Sequence, residues 1–195
     1  MKNERKSLFV IVTILAIAVL GLSIAYAALS ATLTARFANV GSNPLRWEVG
    51  FVEGTVAGTS TGTSSTGREC GTASVTTSMA SVAQTTLSKP GDTCTYALTI
   101  KNTGTIDANL TAIAPTQPTG ATCSVAEGAK MVCGNITYKI TTDSAGNSLL
   151  TANRMLEKTS GELPVYLIAT YSGSEVASEP FTHEGAAFTL TYNQA

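Results

Sequence analysis

The stretch LSKPGDTCTYALTIKNTG, residues 87–104, decides the fold. Lys89-Pro90-Gly91-Asp92 is turn chemistry: proline presets one backbone dihedral and glycine tolerates the other. Cys94, Tyr96, Leu98 and Ile100 then alternate with Thr93, Thr95, Ala97, Thr99 and Lys101, the period-two pattern of a half-buried strand. Asn102-Thr103-Gly104 supplies the next turn, and Ile106, Ala108 and Leu110 return as a second strand, forming either a hairpin or a corner between sheets.

The same pattern extends in both directions. Leu29, Ala31, Leu33, Ala35 and Phe37 alternate with Ser30, Thr32, Thr34 and Arg36. Trp47, Val49 and Phe51 form another apolar face, and Ala73, Val75, Thr77 and Met79 a further strand. Later strands are expected at Ile136 to Ile140, Leu163 to Thr170 and Ala187 to Tyr192, with turns at residues 143–147 and 172–174. The tract Gly58 to Gly67 (GTSTGTSSTG) has nothing to bury and reads as an exposed loop or hairpin tip. Leu149 to Glu157 reads equally as a short helix or a loop. Seven or eight strands separated by turn signals predict an all-β chain, a two-sheet β-sandwich of jelly-roll or immunoglobulin-like kind.

The N-terminus reads as an export leader. Lys2, Arg5 and Lys6 precede an apolar run from Leu8 to Leu22. Ala25-Tyr26-Ala27 then places small residues where a signal peptidase reads them, with the cut before Ala28. The alternative is a retained anchor, since Leu8 to Leu29 is long enough to cross a hydrocarbon core of about 30 Å. The expected organisation is therefore a signal peptide or anchor over 1–27, an N-terminal linking strand segment over 28–45, and a sandwich domain over 46–195. The chain beyond the leader is expected outside the cell or at its surface. The leader takes three of the chain's 12 basic and one of its 13 acidic residues, so the remainder is weakly acidic. Nucleic-acid binding, which needs a clustered basic face, is set aside.

Cys70, Cys94, Cys123 and Cys133 all lie in the exported part. Four cysteines in an oxidising compartment imply two disulfides, with three possible pairings. Cys123 and Cys133 bracket a turn-like stretch at Glu127-Gly128 and are paired on that ground, leaving Cys70 with Cys94.

The order of these landmarks resembles the TasA and camelysin group of exported bacterial surface proteins. Ala27-Ala28-Leu29-Ser30 looks like that group's junction, and Leu87 to Asp92 followed by Leu98 to Gly104 and Ile106 looks like its core block. Phe188 to Tyr192 resembles its closing strand. The resemblance implies a structural subunit of an extracellular surface or biofilm-matrix fibre. In such fibres the freed N-terminal segment of one subunit completes the sheet of the next. Carried over, Leu29, Ala31, Leu33, Ala35 and Phe37 are the polymerisation strand. The implied partner is the protein itself, with other matrix or cell-surface components besides, and the membrane only through an uncleaved N-terminus.

Catalysis finds little in the sequence. Camelysin-like proteins are described as metalloproteases, and His183-Glu184 opens like H-E-x-x-H, but residue 187 is alanine and His183 is the single histidine. Serine or cysteine nucleophiles would need that same histidine as base. Residues 143–147 hold too few carboxylates for an EF-type calcium loop. Asn109 and Asn135 head glycosylation sequons that fall inside expected strands. No catalytic residue, metal ligand or cofactor is assigned. Two rivals to the fibre subunit stand beside it. One is a membrane-anchored adhesin or carbohydrate-binding module using Trp47, Tyr166 or Tyr171; the other is a secreted hydrolase.

Overall fold

The computed structural model describes residues 45–62, 68–126, 128–176 and 183–195, and among these every regular element is a strand. The expected leader, its cleavage residues Ala25, Ala27 and Ala28, and the linking strand Leu29 to Phe37 lie outside the described residues. The strands are β1 (Val49–Phe51), β2 (Gly54–Ala57), β3 (Thr59–Thr61), β4 (Thr72–Val75), β5 (Ala80–Val82), β6 (Thr93–Asn102) and β7 (Ala108–Thr116). They continue as β8 (Cys123–Ala126), β9 (Lys130–Cys133), β10 (Ile136–Thr141), β11 (Arg154–Leu156), β12 (Glu162–Tyr171) and β13 (Ala187–Gln194).

Three antiparallel sheets result, an arrangement consistent with a β-sandwich. The largest runs β1-β6-β12-β10-β9-β8, and β3 joins it on β6. β1 pairs with the end of β6 (Val49↔Asn102, Phe51↔Ile100) and β3 with its beginning (Thr59↔Thr95, Thr61↔Thr93), so two short strands share one edge. The second sheet is β11-β7-β13 and the third is β2-β4-β5. Cys94, Tyr96, Leu98 and Ile100 are all buried, as the alternation along β6 requires. They join Ile140 and Val165 of the same sheet and Leu110, Leu190 and Tyr192 of the second in one core cluster.

The two turns flanking β6 are held by buried polar side chains. Asn102 is fully buried, and its Nδ2 donates to the carbonyls of Ile106 (2.8 Å) and Leu156 (3.1 Å). Its Oδ1 accepts from the Gly104 amide at 3.0 Å. A Cβ at Gly104 would run into the Arg46 carbonyl, which is why the motif ends in glycine. β6 and β7 belong to different sheets, so the Asn102-Thr103-Gly104 turn is a corner rather than a hairpin. At the other end, Asp92 Oδ2 accepts from the amides of Lys89 (2.9 Å) and Ser88 (3.3 Å), and Gly91 has φ 85°. This turn docks on the end of β12: Gly91 N–H donates to Tyr171 O (3.0 Å) and Tyr171 N–H to Asp92 O (2.8 Å).

Several local expectations differ from the fold. Thr59–Thr61, inside the low-complexity tract, is strand rather than loop. The strand expected over Ala73 to Met79 stops at Val75. The Thr76 hydroxyl accepts from the Met79 amide at 3.2 Å, a local closure that turns the chain into β5. Residues 149–157 are neither helix nor plain loop: Leu149 bridges to Thr141, Asn153 has φ 65°, and Arg154–Leu156 pairs with β7. Asn135 sits in the two-residue turn between β9 and β10, where Gly134 has φ 56°, not within a strand.

Candidate functional site

β13 is built by alternation. Phe188, Leu190 and Tyr192 pack toward the core, while Ala187, Thr189, Thr191 and Asn193 occupy the other face. Its one sheet neighbour among the described residues is β7, with Leu190 opposite Ile113 and Tyr192 opposite Leu110. The register shifts between Thr191 and Tyr192, where Thr111 of β7 is the extra residue. Along its second edge this eight-residue strand has no pairing partner among the described residues. Such an edge presents a row of backbone donors and acceptors able to template another strand.

The other sheet margins are poorer templates. β8 has four residues and is covalently tied to β9, and β11 has three. The margin beside β6 is divided between β1 and β3, each three residues long. Among the described residues, β13 joins an eight-residue edge without a pairing partner to Phe188, Leu190 and Tyr192 on its core-facing side. Tyr192 is fully buried, its hydroxyl has no hydrogen-bond partner among the described residues, and burial pushes its pKa well above the ordinary tyrosine range.

The four cysteines form two disulfides. Cys123–Cys133 joins residues that face each other directly across β8 and β9, with Cα atoms 4.2 Å apart. Cys70–Cys94 joins the chain just ahead of β4 to a buried core residue near the start of β6, with Cα atoms 5.6 Å apart. Both fit an oxidising environment.

The aromatic residues of the adhesin alternative do not form one platform. Trp47 packs against the core, Tyr171 is buried, and Tyr166 is half-buried. Among the described residues no group of His, Cys, Asp and Glu could hold a metal ion. His183 is half-buried with its Nδ1 3.0 Å from the Tyr138 hydroxyl. Burial lowers the imidazole pKa and raises that of the Tyr138 phenol. Asp143 accepts from the amides of Ser148 (2.5 Å) and Asn147 (3.2 Å), which hold its carboxyl below the usual range and close the turn.

β13 itself was visible in the sequence through Phe188, Leu190 and Tyr192. Its position at a sheet margin was not, because that depends on which distant strands pair. No family model, curated protein or solved structure matches this chain.

Proposed function

We propose that this protein is a secreted structural subunit of an extracellular surface or matrix fibre. Its body is a two-layer β-sandwich, and assembly proceeds by donation of the strand Leu29 to Phe37 to the outer edge of β13 in a neighbouring subunit. The observation that carries this reading is the eight-residue margin of β13, without a partner among the described residues and backed by Phe188, Leu190 and Tyr192. The sequence supplies a matching segment: nine residues from Leu29 to Phe37, apolar at every second position and freed by a cut before Ala28. A docked strand would gain a main-chain ladder along β13 and bury its apolar face beside the core. The two disulfides suit a protein that works outside the cell.

The test is assembly of the mature protein beginning at Ala28, imaged by negative stain over a range of concentrations. Filaments are expected, and removal of residues 28–38 should leave folded monomers. Filaments that persist without those residues overturn strand donation.

A further inference from the structure

The two N-x-T sequons, Asn109-Leu110-Thr111 and Asn135-Ile136-Thr137, fall in opposite settings in the fold. Asn109 is half-buried in β7, paired on one side with Met155 of β11 and on the other with Asn193 of β13. Asn135 is exposed, in the two-residue turn that joins β9 to β10. Gly134, with φ 56°, takes the left-handed position of that turn, and a Cβ added to it would meet nothing within 4 Å. The tip of the turn therefore stands in open space.

The Asn135 amide is positioned rather than loose. Its Nδ2 donates to Tyr171 Oη at 3.3 Å, and its main-chain carbonyl accepts the Ser172 amide at 2.7 Å. A Cβ at residue 173 would come within 2.9 Å of Asn135 Cγ, so Gly173 leaves the amide its room. A side-chain amide has two N–H donors, and one remains for Tyr171 after Nδ2 takes a sugar. Thr137, the third sequon residue, is 7% exposed, and its hydroxyl donates to Ser172 Oγ at 2.9 Å. A transferase reading both residues can reach them only before β10 pairs with β12. Transfer thus precedes folding, and the finished fold has to accommodate the sugar. At an exposed turn it displaces no packed side chain, whereas on Asn109 it would crowd the directly opposed residues of two flanking strands.

We propose that Asn135 is an N-glycan acceptor, modified as the chain leaves the membrane, and that Asn109 stays bare in the folded protein. In the transfer, Nδ2 forms a bond to the anomeric carbon of an oligosaccharide carried on a lipid pyrophosphate. The bond from that carbon to the pyrophosphate oxygen breaks, the lipid pyrophosphate leaves with the electron pair, and the amide gives up one proton to a base of the transferase. Nothing is oxidised or reduced. The proposal rests on the export reading but not on strand donation, since the turn belongs to the largest sheet and β13 to the second.

The experiment is mass spectrometry of the protein recovered from outside its producing cells, reduced, alkylated and cut with trypsin. Asn135 falls in the peptide 131–139 and Asn109 in the peptide 102–130, so the two sites are read separately. The expected result is a glycan mass on 131–139, placed on Asn135 by fragmentation, with 102–130 unmodified. Asn135→Gln should lose that mass completely, and the wild-type peptides decide the matter even where the variant does not fold. A peptide 131–139 seen only at its unmodified mass overturns the proposal and leaves export standing. A sugar on Asn109, alone or with Asn135, overturns the selection between the sites. Protein found only inside the cells overturns export and the proposal together.

Discussion

Asp92 is completely buried, and its Oδ1 lies 3.5 Å from the Nη1 of Arg68, whose side chain is 15% exposed. The other carboxylate oxygen accepts the Ser88 and Lys89 amides, so one side chain holds the turn ahead of β6 and faces the chain that leads into β4. Removing one member of a buried charged pair leaves the other uncompensated. Asp92→Ala should therefore cost about 3–5 kcal/mol of unfolding free energy in urea titrations. Glu162→Ala breaks an exposed pair with Lys101 and should cost about 1 kcal/mol or less. Equal losses for the two would contradict the role given to Asp92.

Asn102 provides a second test at the opposite end of β6. Asn102→Ala deletes three hydrogen bonds and strands the carbonyls of Ile106 and Leu156 in a buried corner. A loss of about 3 kcal/mol is expected. Gly104→Ala should also destabilise, because its Cβ would overlap the Arg46 carbonyl. Thermal melts of both variants decide the matter; an unchanged melting temperature in either would show that the corner is not held as described.

These two turns explain how far the sequence could be read. The Pro-Gly-Asp and Asn-Thr-Gly motifs are legible because the side chains of Asp92 and Asn102 bond backbone groups within a few residues, and the distant contacts to Tyr171, Arg68, Glu48 and Leu156 come on top of that. The strand between them alternates cleanly because one face is core and the other is not. β3 lacked any such signal. Thr59, Ser60 and Thr61 are all exposed, and what makes them a strand is the vacant margin of β6, far away in sequence. β11 was equally silent, since Leu156 is its one buried residue. The candidate site divides in the same way. The apolar face of β13 is written in its alternation, whereas its open margin is a property of topology, which no window of sequence contains.

The two disulfides close loops of different length, with sequence separations of 24 for Cys70–Cys94 and 10 for Cys123–Cys133. In the chain-entropy account the longer loop constrains the unfolded chain more, giving about 3.5 against about 2.8 kcal/mol. Replacing Cys70 and Cys94 together by serine should lower the denaturation midpoint more than replacing Cys123 and Cys133. Cys94 and Cys133 are both fully buried, so the cost of burying a serine hydroxyl falls on both variants and leaves loop length to set the order. Denaturant melts of the two double variants, each with the other bridge intact, give the order. The reverse order would place the hairpin bridge, not the core bridge, as the principal staple.

Tyr192 connects stability to alkaline pH. Its phenol is buried without a partner among the described residues, and burial raises its pKa far above the unfolded value of about 10. Tyr96 and Tyr138 shift in the same direction, also through burial. For groups whose folded pKa is raised, the contribution to stability is complete below the unfolded pKa. Above about pH 10 the unfolded chain binds fewer protons than the folded one, so stability must fall as pH rises toward the folded values. Tyr192→Phe removes the group with the largest shift and should flatten that fall. At neutral pH it should raise stability by about 1 kcal/mol, because it deletes a buried hydroxyl without a partner and keeps the ring against Leu110 and Leu190. Urea midpoints of wild type and Tyr192→Phe between pH 7 and about pH 11 test both halves. A variant less stable than wild type at pH 7 would mean that the hydroxyl has a partner after all.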